Sequence, residues 1–320
     1  MKLLPGLALT FAIAIVAYAL GLAVPLIGGP VFGIVFGLIV AAIRKPDARF
    51  APGIKFASKL LLQASIVLLG TSLDLAKLVH VGAGSLPVLF GTMAICLVAA
   101  ALVGRWLGLD GTLRTLLGVG TAICGASAIA AVSSVIVTTE AEIAISISTI
   151  FLYNVAAVLT FPALGHALHL SAHAFGLFAG TAINDTSSVV AAGYVYGKEA
   201  GDDAVVVKLT RATLIVPLVA FFALRNAGRG VSWKSIVPWF IVWFVVAVAL
   251  NTLGAIPAVM HRPLTTAGLF LIVVALTGVG LGSNLEQMRR AGWRPIALGG
   301  ILWIAVGTSS LVLAALSGVK

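Results

Sequence analysis

Two stretches of the chain carry the same residues 60 positions apart. Gly120-Thr121-Ala122-Ile123 continues into Cys124-Gly125-Ala126-Ser127-Ala128, and Gly180-Thr181-Ala182-Ile183 into Asn184-Asp185-Thr186-Ser187-Ser188. Both crowd glycine, hydroxyl and amide residues into the middle of otherwise apolar runs. Glycine permits dihedrals that other residues avoid. Backbone groups freed by a broken helix cannot be satisfied by lipid, so such breaks survive only against protein or a water-filled cavity. Thr121, Ser127, Thr181, Asn184, Thr186 and Ser187 offer groups that can replace water around a solute. The ends of broken helices attract anions at their N-termini and cations at their C-termini. Close packing of small residues is the competing explanation. The duplication, and the Asn184-Asp185 pair within one copy, favour a binding site.

Two charged residues sharpen this expectation. Asp185 falls near the middle of an apolar stretch, where a charge costs at least ~2.5–3.5 kcal/mol on insertion scales and needs a partner or a task. Handling a coupling ion or proton suits it better than touching an anion. Arg211 lies about two turns into an apolar helix, Val205–Leu214. Its guanidinium suits bidentate binding of carboxylate, sulfate or sulfonate oxygens, and equally an ion pair with Asp185. Lys208, nearer the helix end, is expected to snorkel to the surface. Asn154, an amide in an apolar helix, is expected to pair with a broken segment or across helices. Glu140 and Glu142 read as a solvated helix start, and His166, His169 and His173 as interfacial residues. Cys96 and Cys124 both fall in apolar runs, without metal-ligand spacing.

These residues sit in a chain of 320 residues that is 61% hydrophobic and 9% charged. A soluble domain carries about 25% charged residues, so this surface is one that faces lipid. Candidate spanning segments fall near 6–26, 29–43, 58–74, 84–104, 113–137, 143–165, 174–197, 204–224, 236–256, 264–282 and 295–317, by the need for about 20 apolar residues. Residues 45–59 read as a basic loop lying along the membrane surface. The apolar run from Leu7 to Leu26 resembles a signal peptide but reads as a retained first helix. Trp233, Trp239 and Trp293 sit at segment ends, as interface anchors do. With a cytoplasmic N-terminus, the cytoplasmic loops hold Arg44, Lys45, Arg49, Lys55, Lys59, Arg105, Arg114, Arg225, Arg229, Lys234, Arg289, Arg290 and Arg294. The other side keeps Lys77, Lys198, Arg262 and Lys320. The positive-inside rule selects this orientation. Charge does not distinguish eleven crossings from nine crossings plus two re-entrant hairpins at the two GTAI segments. A weaker echo, Gly70–Leu75–Gly82 and Gly280–Leu285–Gly292, has the spacing an inverted repeat would give.

At Gly118–Ala131 and Gly180–Val189 the sequence resembles the bacterial YeiH-type family of proposed sulfate exporters, over essentially the whole chain. The resemblance implies an inner-membrane protein distantly related to bile-acid/sodium symporters, with inverted repeats and broken crossing helices. Leu68-Leu69-Gly70, Gly120-Thr121-Ala122 and Ser146–Thr149 before Pro162 are similar to successive core elements there.

The expectation is therefore an all-α polytopic membrane protein, a single transporter domain over residues 1–320. Its function would be alternating-access transport of a small anion across the inner membrane. A Na+- or H+-coupled symporter of another small organic solute, or an anion channel, is the alternative. Substrate would meet Thr121, Ser127, Thr181, Asn184, Thr186, Ser187 and Arg211, and a coupling ion or proton would meet Asp185 and Asn154. The chain lacks a Walker-type phosphate loop and the H-E-x-x-H and G-x-S-x-G hydrolase motifs, so no enzyme and no cofactor is expected beyond Na+ or H+ as coupling ion. The expected partners are a small anionic solute, the bilayer and other copies of the chain, not nucleic acid.

Overall fold

The computed structural model describes residues 3–24, 27–44, 46–225, 239–283 and 292–318. Helices dominate, and no strand occurs among the described residues. In chain order they are α1 (Leu4–Ala23), α2 (Gly28–Ile43), α3 (Ala51–Gly70), α4 (Leu75–Trp106), α5 (Gly111–Ala122), α6 (Ala126–Ser133) and α7 (Glu140–Ala167). They continue as α8 (Ala172–Ala182), α9 (Thr186–Tyr196), α10 (Lys198–Thr213), α11 (Ile215–Arg225), α12 (Trp239–Thr252), α13 (Ala258–Leu281) and α14 (Trp293–Leu316). Among the described residues, seven helical runs are long and apolar enough to cross a bilayer: α1, α3, α4, α7, α10 with α11 to Phe222, α13 and α14. The shorter α2 and α12 are also apolar. This is an all-helical, polytopic membrane protein. Large apolar side chains such as Leu102, Trp106, Leu224 and Val259 stand exposed, as a lipid-facing surface allows.

Each expected segment has a helix or a pair of half-helices at its place. One expectation is corrected. The basic stretch 45–59 is not a surface loop throughout, because α3 already begins at Ala51 and carries Lys55 and Lys59 along its first turns. Pro52 in its first turn suits a helix start, and a π-turn over Ala57–Leu61 carries the helix on to Gly70. Trp239 and Trp293 do open their helices and are exposed; Trp233 and Leu285 lie outside the described residues.

The chain forms two compact units. Residues 1–80, 194–198 and 239–285 make the first. Its core joins Ala14 and Ala17 of α1, Ala57 of α3, and Val273 and Val274 of α13, with Phe11, Tyr18 and Phe270 packed against them. Small residues set its helix spacing. Gly37 of α2 and Gly280 of α13 lie back to back: a Cβ at Gly37 would sit 2.5 Å from the Thr277 carbonyl, and one at Gly280 2.5 Å from that of Ile34. Backbones this close gain dispersion contacts that lipid tails cannot match.

The second unit holds residues 81–193, 199–238 and 286–320. Aromatic side chains tie α7, α8 and α14 together: Phe161 stacks on Trp303 with centroids 5.2 Å apart and lies 4.6 Å from Phe178. The Tyr153 hydroxyl donates to the Ile296 carbonyl at 2.7 Å. Helix α7 starts at a capping box, with Thr139 accepting from the Glu142 N–H and the Glu142 carboxylate accepting from that of Thr139. That is the helix start expected of Glu140 and Glu142.

Both GTAI segments are broken helices, interrupted at residues 123–125 and 183–185. The first is a sharp turn. A Cβ on Gly120 would lie 3.0 Å from the Ile129 side chain, nine residues on, which a straight helix would place about 13.5 Å away. Gly125 sits beside Ile150, ten residues past the start of α7 and so about 15 Å along it. The short link after α6 begins with turns at Val135 and Ile136. It reaches Glu140 only if α6 runs back toward the start of α7. Helices α5 and α6 are therefore a re-entrant hairpin. Gly125, at φ 66° and ψ −129°, takes a backbone conformation that a side chain would resist.

Replacing Gly37 with Val is expected to force α2 from α13 and lower the melting temperature of detergent-purified protein by several degrees, since overpacking costs about 1–3 kcal/mol. Gly84, with open space around its Cβ position in α4, is the control. Gly84→Ala should hold or raise the melting temperature, Ala being better in a helix by about 0.5–1 kcal/mol.

Candidate functional site

Lys208 and Arg211 are three residues apart in α10 and so share one face of it. Neither has any solvent exposure. The Lys208 Nζ donates to the carbonyls of Ile123 and Ile183, at 2.8 and 2.9 Å. The Arg211 guanidinium donates through Nη2 to the Thr121 carbonyl at 2.6 Å, through Nη1 to that of Thr181, and through Nε to that of Ala122 at 2.7 Å. The last carbonyls of a helix have no partner within it and carry the negative end of its dipole. Here the open C-terminal ends of α5 and α8 turn on the same two cations.

The pairing follows the sequence repeat. Thr121 and Thr181 are matched positions and both serve Arg211, while Ile123 and Ile183 are matched and both serve Lys208. The motif's glycines allow the approach. A Cβ at Gly120 would collide with Ile150 of α7, and one at Gly180 would lie 2.7 Å from Val207 of α10.

Beyond the breaks the two copies diverge. Asp185 Oδ2 accepts from the N–H groups of Ser187 and Ser188, at 3.0 and 3.3 Å, and from the Ser187 hydroxyl. It is the N-terminal cap of α9. Asn154 Oδ1 accepts from the N–H groups of Asn184 and Asp185, at 3.2 and 3.3 Å, so α7 holds the second break in place. The first copy has Gly125 where the second has Asp185, and α6 begins without a side-chain cap. Its first-turn residue Ser127 is exposed. A Cβ at Gly125 would lie 3.8 Å from the Asn184 backbone, so the two breaks are adjacent.

The structure thus brings Thr121, Thr181, Asn184, Asp185, Asn154 and Arg211 to one place, with Ser127 and Ser187 in the first turns beyond the breaks. The Thr181 hydroxyl bonds Leu177 and Ser310. Asn184 is 1% exposed, and its Oδ1 has no partner. Thr186 is half-buried. Two expectations need correction, and Arg211 is held differently than its sequence context suggests: in this conformation all three of its nitrogens are engaged by carbonyls. It forms no ion pair with Asp185, which spends its carboxylate on α9. Lys208 does not snorkel; it is as buried as Arg211. Hydropathy suggests snorkelling because Lys208 is close to the helix start, whereas α10 is buried nearly throughout from Ala200 to Leu209.

Sequence reasoning also missed Asp203, whose Oδ2 lies 2.7 Å from His173 Nδ1 at the start of α8. Helices α8 and α10 are therefore joined at both ends of α8.

The fold and this geometry define a multi-pass helical membrane protein in which two broken helices meet over a buried pair of cations. The chain belongs to the family described as "Conserved hypothetical protein 698", whose model matches residues 5–299. It is 38% identical over 339 residues to a "UPF0324 membrane protein" of Fusobacterium nucleatum, covering 98% of each chain. Similar proteins of the same description occur in Streptococcus agalactiae, 40% identical over 327 residues with 98% of each chain covered, and in Streptococcus mutans, 40% identical over 334 residues with 99% of this chain and 98% of the relative covered. The YeiH-type resemblance is consistent with these matches, and none of their names states a substrate.

Truncating Arg211 strands three carbonyls. Loss of one partner from a buried charged cluster costs about 3–5 kcal/mol, so Arg211→Ala should sharply reduce the yield of monodisperse protein and its melting temperature. Arg211→Lys should restore little, because an ammonium cannot span the three carbonyls a planar fork reaches. Full rescue by lysine, read by size-exclusion chromatography and melting temperature, would show that charge alone is what the site needs.

Proposed function

We propose that this protein is a secondary transporter that carries a small anion, such as sulfate, a sulfonate or a carboxylate, by alternating access. The observation that carries this reading is the charge balance at the two breaks. Lys208 and Arg211 place two basic side chains there, with Asp185 as the carboxylate beside them among the described residues. The C-terminal ends of α5 and α8 are taken up by the two cations. The N-terminal ends of α6 and α9 also face the breaks and carry positive potential. Asp185 caps that of α9, while the start of α6 stays open, with exposed Ser127 in its first turn. A helix N-terminus backed by surplus positive charge is a site for an anion.

Ser127 would contact the solute, with Asn184 and Thr186 close by and Thr121, Thr181 and Asn154 holding the breaks. Arg211 acts on the anion through the field and through the shape of the hairpin, not by direct contact in this conformation. The distribution of basic loop residues supports an inner-membrane location with a cytoplasmic N-terminus.

The test is ligand-dependent melting of purified protein against a panel of sulfate, sulfonates and small carboxylates, at fixed pH and ionic strength. Specific binding to the folded state raises the melting temperature with ligand concentration. Ser127→Phe, a change on an exposed position, should leave the ligand-free melting temperature within about 2 °C, since surface substitutions usually change stability by less than about 0.5 kcal/mol. It should abolish the anion-dependent shift. Counterflow of the stabilising anion in proteoliposomes should follow the same pattern and separates a carrier from a channel. An anion shift that Ser127→Phe leaves untouched would place the site elsewhere.

A further inference from the structure

We propose that the Lys208 ammonium permanently fills the cation site between the two broken helices, and that the transport cycle therefore takes no Na+ there. Resting on the carrier reading above, this assigns the coupling site a tethered occupant. In carriers with broken helices, unwound backbone carbonyls and half-helix C-termini are what coordinate a coupling cation. This chain builds that arrangement from the carbonyls of Ile123 and Ile183, one from each break, and then puts its own Nζ at 2.8 and 2.9 Å from them.

Three observations point to an occupied cation site and not to an ordinary buried lysine. Its two acceptors are matched positions of a sequence repeat, so the site has approximate twofold character. The ammonium has no solvent exposure and, among the described residues, no carboxylate within ion-pairing distance, so dipolar oxygens and the field of the breaks hold it. Asp185, two residues past Ile183, is the nearby carboxylate that offsets its charge, and Arg211 lies on the same helix face. Finally, Asn184 Oδ1 is buried, unpartnered and next in sequence to Ile183. A metal ion entering in place of the ammonium would find the two carbonyl oxygens already in place, the hard donors that small cations prefer.

The experiment uses full-length protein in detergent, with NaCl exchanged for N-methylglucamine chloride at constant ionic strength and pH. Wild-type protein should melt within about 1 °C in either salt. A saturable stabilisation by Na+ would overturn the proposal outright, without any variant. Lys208→Ala should melt several degrees lower and recover part of that loss with millimolar ammonium or methylammonium, or with Na+. Lys208→Met, which keeps the packing and fills the space, should be destabilised without recovery by any of these cations. If Lys208→Ala does not fold, counterflow by wild-type protein in Na+-free vesicles decides: undiminished exchange supports the tethered cation, and loss of exchange refutes it. Failure to find any stabilising anion would count against the carrier reading alone. Anion stabilisation that requires Na+ would preserve the carrier and sink the tethered cation.

Discussion

Five backbone carbonyls at the ends of two helices converge on two side-chain cations, and the architecture of the second unit is arranged around that convergence. A helix stopped in the interior of a membrane leaves carbonyls that neither water nor lipid can satisfy. Two such ends placed together also repel, since each carries roughly half a negative charge. Lys208 and Arg211 remove both problems at once. Their own desolvation would be prohibitive in an apolar helix facing lipid, but here the carbonyl oxygens replace water around them. Each side of the arrangement makes the other tolerable, which explains why helix α10 can carry two charges through its buried stretch.

Several features of the surrounding helices follow from the need to bring those ends together. The chain must reverse at Gly125, so α6 runs back along α7 and the first break becomes a hairpin. Helix α7 stands against both breaks, with Ile150 beside Gly120 and Gly125 and Asn154 binding the backbone of Asn184 and Asp185. Helix α8 is fixed to α10 by His173–Asp203 at its beginning and by the cations at its end. Ser310 of α14 reaches the Thr181 hydroxyl.

Much of this was legible in the sequence, for identifiable reasons. Hydropathy located the helices because a membrane demands long apolar runs, and the doubled GTAI located the breaks because polar residues there violate that demand. Asn154 could be read as a partner for a break, since an amide in an apolar helix needs one. What Arg211, Lys208 and Asp185 bind could not be read. A guanidinium is equally suited to carboxylate, sulfate or a set of carbonyls, and the choice depends on which backbone ends lie within reach. Position along α10 suggested that Lys208 escapes to the surface, because sequence does not show that neighbouring helices close over that end. The start of α3 within the basic stretch was hidden for a similar reason: Lys55 and Lys59 lower hydropathy without stopping a helix.

The duplicated motif is thus a repeat in one half and a contrast in the other. Up to Ile123 and Ile183 the two copies do the same work, since both must surrender carbonyls to the same cations. From the next residue they part: Cys124-Gly125-Ala126-Ser127 against Asn184-Asp185-Thr186-Ser187. Asp185 neutralises the start of α9 and ties up Ser187. Gly125 turns the chain, leaves α6 uncapped and leaves Ser127 exposed. A carboxylate at position 125 would cancel the positive end of α6 and clash with the left-handed backbone that the hairpin needs. The asymmetry therefore has a physical consequence: positive potential is quenched at one break and kept open at the other, and the proposed anion site draws on that difference.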